Sequence, residues 1–173
     1  MVLTSRGYAG HHCVRPPATL CVLAEQNPNR KQLAFLAFDP VIGRGREIMR
    51  IETDPNADYS WDVSSDGSRL AVQRNGESDS HIRILPISAG SSRDVKVKKW
   101  GHLISLDWAR DGRGFFASSD SRKSTTLLHI DLEGNVHVLW EGVGASGVPS
   151  PDGRNLAVSY NVADINAWMI ENF

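Results

Sequence analysis

Three segments of this chain are versions of one another. Trp61 to Val72 reads Trp-Asp-Val-Ser-Ser-Asp-Gly-Ser-Arg-Leu-Ala-Val, and Leu106 to Ala117 and Gly147 to Val158 repeat its outline, each with an Asp-Gly pair ahead of an apolar run. The pairs begin at Asp66, Asp111 and Asp152, intervals of 45 and 41 residues. Asp-Gly suits a tight reversal between antiparallel strands, because Gly adopts positive φ at little cost and the Asp carboxylate bonds its own backbone. Asp66-Gly67, Asp111-Gly112 and Asp152-Gly153 are therefore read as structural turns rather than as catalytic acids. A reversal returning every 40 to 45 residues is the period of β-propeller blades, not of helical repeats.

The rest of the chain fits that module. Leu20–Ala24, Gln32–Phe38 and Glu47–Ile51 read as three strands separated by polar turns, with Pro16-Pro17 standing where the other units carry Asp-Gly. A second unit runs through Tyr59–Val63, Leu70–Gln73, His81–Ile87 and Asp94–Trp100. The third contains Leu103–Trp108, Phe115–Ser118, Thr126–Leu132 and Val136–Trp140. The fourth has Val148, Leu156–Tyr160 and Ala167–Phe173, one strand short. The expectation is an all-β chain of about four four-stranded antiparallel blades, at about 8–52, 58–100, 103–141 and 146–173, forming one propeller-like domain. Either the ring closes on itself, with Val2–Ser5 supplying the missing strand, or the chain is an open arc of a larger propeller. An open arc leaves unpaired strand edges, which favour a homodimer. The five tryptophans, Trp61, Trp100, Trp108, Trp140 and Trp168, lie in or beside strands and read as packing between blades.

Charge removes several function classes. The 173 residues carry 19 Lys+Arg against 20 Asp+Glu, a formal charge of −1, so the basic field of nucleic-acid binders is missing and no nucleic-acid partner is expected. No apolar run reaches the roughly 20 residues of a membrane-spanning helix, and Met1–Tyr8 lacks the order of a secretory signal.

Motifs for chemistry fail on spacing. Gly144-Ala145-Ser146-Gly147 is not a nucleophile elbow, which needs Gly-x-Ser-x-Gly between a strand and a helix. His11, His12 and Cys13 are consecutive, so on a strand they alternate faces and do not converge on one metal ion. Asp54-Pro55-Asn56-Ala57-Asp58 opens like a calcium loop, but Tyr59 stands where the sharp turn needs Gly and Ser65 where the bidentate Glu belongs. Gly43-Arg44-Gly45-Arg46 joins two strands rather than opening a helix, so it reads as a solvated turn whose arginines are available to an acidic partner. No catalytic residue, cofactor or metal site is expected. Cys13 and Cys21 each lie four residues from Pro17. A hairpin there sets them opposite one another within disulfide reach and implies a periplasmic or other extracytoplasmic compartment; two small buried thiols in a cytoplasmic chain are the equal alternative.

Ser150-Pro151-Asp152-Gly153-Arg154, with its variants at Ser64–Arg69 and Trp108–Arg113, resembles the Trp-Ser-Pro-Asp-Gly signature of TolB-type, WD-like propeller repeats, over about residues 13 to 173. The pattern is similar to the C-terminal propellers of bacterial serine/threonine kinases and winged-helix regulators. The resemblance implies a non-catalytic module that binds a protein or small ligand or, alternatively, a sensory or accessory domain of a larger enzyme such as such a kinase. No kinase Gly-rich loop, catalytic loop or Asp-Phe-Gly is present.

Overall fold

Alternating apolar positions, broken by Gly, Pro and Asp, fold this chain into strands alone. The computed structural model describes residues 7–14, 19–121, 124–150 and 152–159, and among these there is no helix. Sheet 1 is β1 (Tyr8–Cys13), β2 (Cys21–Gln26), β3 (Gln32–Asp39) and β4 (Gly43–Glu52). Sheet 2 is β5 (Tyr59–Val63), β6 (Arg69–Arg74), β7 (His81–Pro86) and β8 (Arg93–Lys96). Sheet 3 is β9 (Asp107–Trp108), β10 (Gly114–Asp120), β11 (Thr125–Asp131) and β12 (Val136–Gly142), and sheet 4 has β13 (Ser146–Pro149) and β14 (Leu156–Ser159). Strand order follows sequence order in every sheet, and each neighbouring pair is antiparallel. These are β-propeller blades: four-stranded meanders packed face to face.

Both faces of a blade are covered, so both parities of a strand are apolar. On β6, Leu70 and Val72 point to sheet 1 and join Phe35, Val22 and Trp61 in one buried cluster. Ala71, between them, points to sheet 3 and joins Phe115, Leu128 and Trp108 in a second. Trp61 and Trp108 are buried in these two seams and Trp100 packs against the second. Trp140, on outer strand β12, is about half exposed, and Trp168 lies outside the described residues.

The three Asp-Gly turns are one structure used three times. Gly67, Gly112 and Gly153 have φ of 71°, 68° and 71°, and their amides donate to Ser64 O, Ala109 O and Ser150 O at 2.8–3.0 Å. The carboxylates of Asp66, Asp111 and Asp152 accept the amides of Ser68, Arg113 and Arg154 at 3.0–3.1 Å. All six residues thus sit at the reversal between the first and second strands of a sheet.

Several boundaries differ from the sequence reading. Tyr8–Cys13 forms a strand that the run of His and Cys concealed, since it carries little apolar signal. Gly43–Arg46 is not a turn but the start of β4; the reversal comes earlier, at Pro40–Ile42, because the Asp39 carboxylate accepts the amides of Val41 and Ile42 at 2.7 and 2.8 Å. The strand expected over Asp94–Trp100 stops at Lys96, since the Lys98 amide bonds Gly134 O of sheet 3 and Lys99 has φ of 65°. Of Leu103–Trp108, only Asp107–Trp108 is strand, with an isolated bridge from Leu103 to Ser119. Val2–Ser5, Pro16-Pro17 and Ala167–Phe173 lie outside the described residues.

Candidate functional site

The first strand of each sheet is the inner one. β1 lies against β5 and β5 against β9, and matching positions on the four inner strands are occupied by His12, Asp62, Asp107 and Val148, paired with Val22, Ala71, Phe116 and Ala157. A side chain at this position leans toward the next blade. Asp62 uses the reach to tie three sheets together. Its Oδ1 lies 3.0 Å from His12 Nδ1 on β1 and accepts the Val63 amide at 2.7 Å, while Oδ2 accepts the Trp108 amide on β9 at 2.8 Å.

These groups surround a cavity of about 190 Å³ to which all four inner strands contribute, with His12 and Cys13, Asp62 and Val63, Asp107 and Trp108, and Val148 and Pro149 on its wall. Ser65 and Arg110, one from each of two adjacent Asp-Gly turns, complete the rim. Ser65 Oγ donates to Arg110 O at 2.9 Å, which joins the turns and leaves that hydroxyl hydrogen unavailable to a base. On the Trp108 ring, the Arg69 guanidinium sits 4.9 Å from the centroid, a cation–π contact across the seam. The indole Nε1 of Trp108 is buried and has no acceptor among the described residues.

His12 is held above its ordinary pKa. Burial works against the imidazolium, but the hydrogen bond that it donates to Asp62 and the negative charges of Asp62 and Asp107 outweigh it. Its ring also meets Trp61 edge-on at 4.6 Å. Asp66, behind the rim, is lowered to about 2, chiefly by the 2.6 Å hydrogen bond from Ser64 Oγ and then by Ser68.

Cys13 and Cys21 are directly opposed across β1 and β2 and joined by a disulfide. The Val14 amide donates to Leu20 O just beyond them, so this is a position where no hydrogen bond links the facing residues and side chains approach closest. The disulfide borders the cavity through Cys13. His11, His12 and Cys13 do alternate: His11 meets Phe38 edge-to-face on one face, while His12 turns to Asp62 on the other. Among the described residues no three His, Cys, Asp or Glu side chains are grouped to hold a metal ion. The Asp54–Asp58 loop is taken up by ion pairs, Asp54 with Arg74 and Asp58 with Arg30, each at 2.7 Å.

The structure leaves Asp66, Asp111 and Asp152 in their separate turns. The groups it brings together, His12, Asp62 and Asp107, were missed as a set. One signal was present, because Asp62 and Asp107 both precede a turn Asp by four residues; His12 carried none, since its unit has no Asp-Gly to align.

No family model matches the chain, and no curated protein is similar to it. Among solved structures it is similar to the β-propeller domain of the Trilobed protease from Pyrococcus furiosus, described as having an open velcro topology, at 20% identity and a TM-score of 0.56, over 98% of this chain and 53% of that one. Kuenenia stuttgartiensis hydrazine synthase matches at 19% identity and TM-score 0.57, over 84% of this chain and 42% of that one. Pyrococcus horikoshii acylaminoacyl peptidase matches at 20% and 0.56, over 92% and 29%. The fold is a β-propeller fold, and the chain spans about half or less of the length of these structures.

Proposed function

We propose that this chain is a non-catalytic propeller module that binds a small ligand or a protein segment at the mouth where its inner strands converge. The observation that carries the reading is the cavity itself, where all four inner strands contribute to one wall that carries His12, Asp62, Asp107 and Arg110. A concave wall with a few convergent polar groups is the usual form of a small-ligand site. The remaining polar groups support binding rather than turnover: Asp62 is engaged three ways and Ser65 is bonded to backbone. The disulfide fits an oxidising, extracytoplasmic setting.

A second reading follows from length. Because the chain covers 53% or less of the three matched structures, it also fits an accessory part of a larger enzyme, of which the kinase-linked propellers are the expected kind.

A thermal-shift screen of small carboxylates, amides and short peptides tests the site, run in parallel on the parent and Val148→Trp. Val148 is half exposed at the mouth, so the Trp fills the entrance without disturbing a core. Ligands should stabilise the parent and fail on the blocked variant. Equal protection of both proteins, or protection of none by the whole panel, overturns the proposal.

A further inference from the structure

An Asp-Gly pair is a chemical site as well as a turn. The glycine amide nitrogen can close on the aspartyl carboxyl carbon, forming the C–N bond of a five-membered succinimide and releasing the carboxyl hydroxyl, with the amide hydrogen, as water. Water then opens the ring at either carbonyl. Opening at one restores the aspartate; opening at the other leaves an isoaspartate, whose main chain runs through Cβ and whose α-carboxylate becomes a side group. Glycine favours the closure because it has no side chain to crowd the new ring. Two requirements slow it in a folded chain. The carboxyl must leave its hydrogen bonds to reach the amide, and it must be protonated, since a carboxylate has no hydroxyl to release.

The three turns differ in how firmly they hold that carboxyl. Asp66 accepts Ser64 Oγ at 2.6 Å, the Ser68 amide at 3.0 Å and Ser68 Oγ at 2.8 Å. Asp152 accepts Ser150 Oγ at 2.6 Å and the Arg154 amide at 3.1 Å. Both are held ionised below the ordinary carboxylate range, Asp66 at about 2, and the serine two residues upstream is the largest cause in each. Asp111, which is exposed, accepts only the Arg113 amide, at 3.0 Å, among the described residues. Ala109 stands where the other two turns place Ser64 and Ser150. The Asn75-Gly76 pair, which would close the same ring by releasing ammonia, is held at both ends: Asn75 Oδ1 accepts Gln73 Nε2 at 3.1 Å, and the Gly76 amide donates to Leu103 O at 2.9 Å.

The Asp111 turn is tied to the rim of the cavity. Arg110 O accepts Ser65 Oγ from sheet 2, and Arg69, whose guanidinium lies over Trp108, has Nη2 3.3 Å from where a Cβ on Gly112 would stand. An isoaspartate adds one atom to the main chain between these two contacts, so the turn and sheet 2 no longer keep the same register.

We propose that Asp111 is a modification site, the one of the three Asp-Gly turns that passes through a succinimide to isoaspartate while the protein is folded.

The test follows the intact chain held at neutral pH and physiological temperature. Samples taken over weeks are digested, and each Asp-Gly peptide is resolved from its isoaspartyl form by chromatography with electron-transfer fragmentation. Isoaspartate should accumulate at Asp111 at least about tenfold faster than at Asp66 or Asp152, the kinetic weight of one hydrogen bond to a charged group. Ala109→Ser supplies the missing donor, and Ser64, wholly buried at the matching position, shows that the fold accommodates a hydroxyl there. That variant should slow Asp111 to the rate of the other two turns, while Ser150→Ala should speed Asp152 to the rate of Asp111. In urea the three rates should converge, because the hydrogen bonds that separate them are gone. Equal rates at the three turns of the folded chain overturn the proposal, as does an Asp111 rate that Ala109→Ser leaves unchanged. So does a difference that persists in urea, which places its cause in the neighbouring residues and not in the fold.

Discussion

Replacing Asp62 by Ala removes the group that joins three inner strands. The Trp108 amide, in a buried residue, loses its acceptor, and His12, whose side chain is 35% exposed, loses its partner but is rescued in part by water. Hydrogen bonds to a charged group contribute about 1.5–3 kcal/mol each, so with the His12 share discounted for solvent the expected loss is about 2–4 kcal/mol. That is a large part of the roughly 5–15 kcal/mol that holds a domain folded. At about 2–4 °C per kcal/mol for a chain of this size, Tm should drop by about 4–16 °C. Asp62→Asn keeps one acceptor and should lose about half as much. Urea unfolding followed by tryptophan fluorescence reads the change directly, since Trp61 and Trp108 flank the site. The pH dependence adds a second readout. His12 has a raised pKa in the folded protein, so its contribution is fully present below the unfolded value near 6.5 and is lost as pH rises through the higher folded value. The parent should therefore weaken as pH rises above about 6.5, and Asp62→Ala should lack that slope. A variant within about 0.5 kcal/mol of the parent, the scatter of an ordinary surface substitution, would refute the account of Asp62 as the tie between sheets.

Asp66, held at about 2, contributes stability that is present above the unfolded value and lost as pH falls through the folded one; Ser64→Ala should raise its carboxyl titration toward the ordinary range, which carbon-detected NMR measures. Reduction of Cys13–Cys21 should add the mass of two hydrogens and cost about 2–3 kcal/mol, the loop-closure value for so short a span; an unchanged intact mass would show that the thiols are free. Gly134→Ala should destabilise by about 2 kcal/mol or more, because φ is 77° and the new methyl meets Lys96 O, and a neutral result in urea would mean that the sheet 3 loop does not rest on sheet 2.

How far each feature could be read depends on how far apart its parts lie in the chain. Period-2 alternation and Asp-Gly reversals are local, and antiparallel neighbours follow from short turns, so the all-β class and the four-stranded meander were legible before any coordinates. Local chemistry also misled in places. Gly43-Arg44-Gly45 has the composition of a turn, yet the Asp39 carboxylate fixes the reversal three residues earlier and the glycines run into β4. Tyr8–Cys13 has no alternation to show, and its pairing with β2 makes it a strand.

The candidate site lies at the other extreme. Repetition along the sequence was enough to specify each blade, because hydrogen bonds between successive strands close over a few residues and each blade carries its own turn signal. It could not specify that His12, Asp62 and the Trp108 amide meet, since they come from three sheets and about a hundred residues of chain, and their distances are set by how Phe35, Trp61, Leu70 and Phe115 pack one blade on the next. Where the inner strands converge, and which polar groups face one another there, is a property of that packing alone.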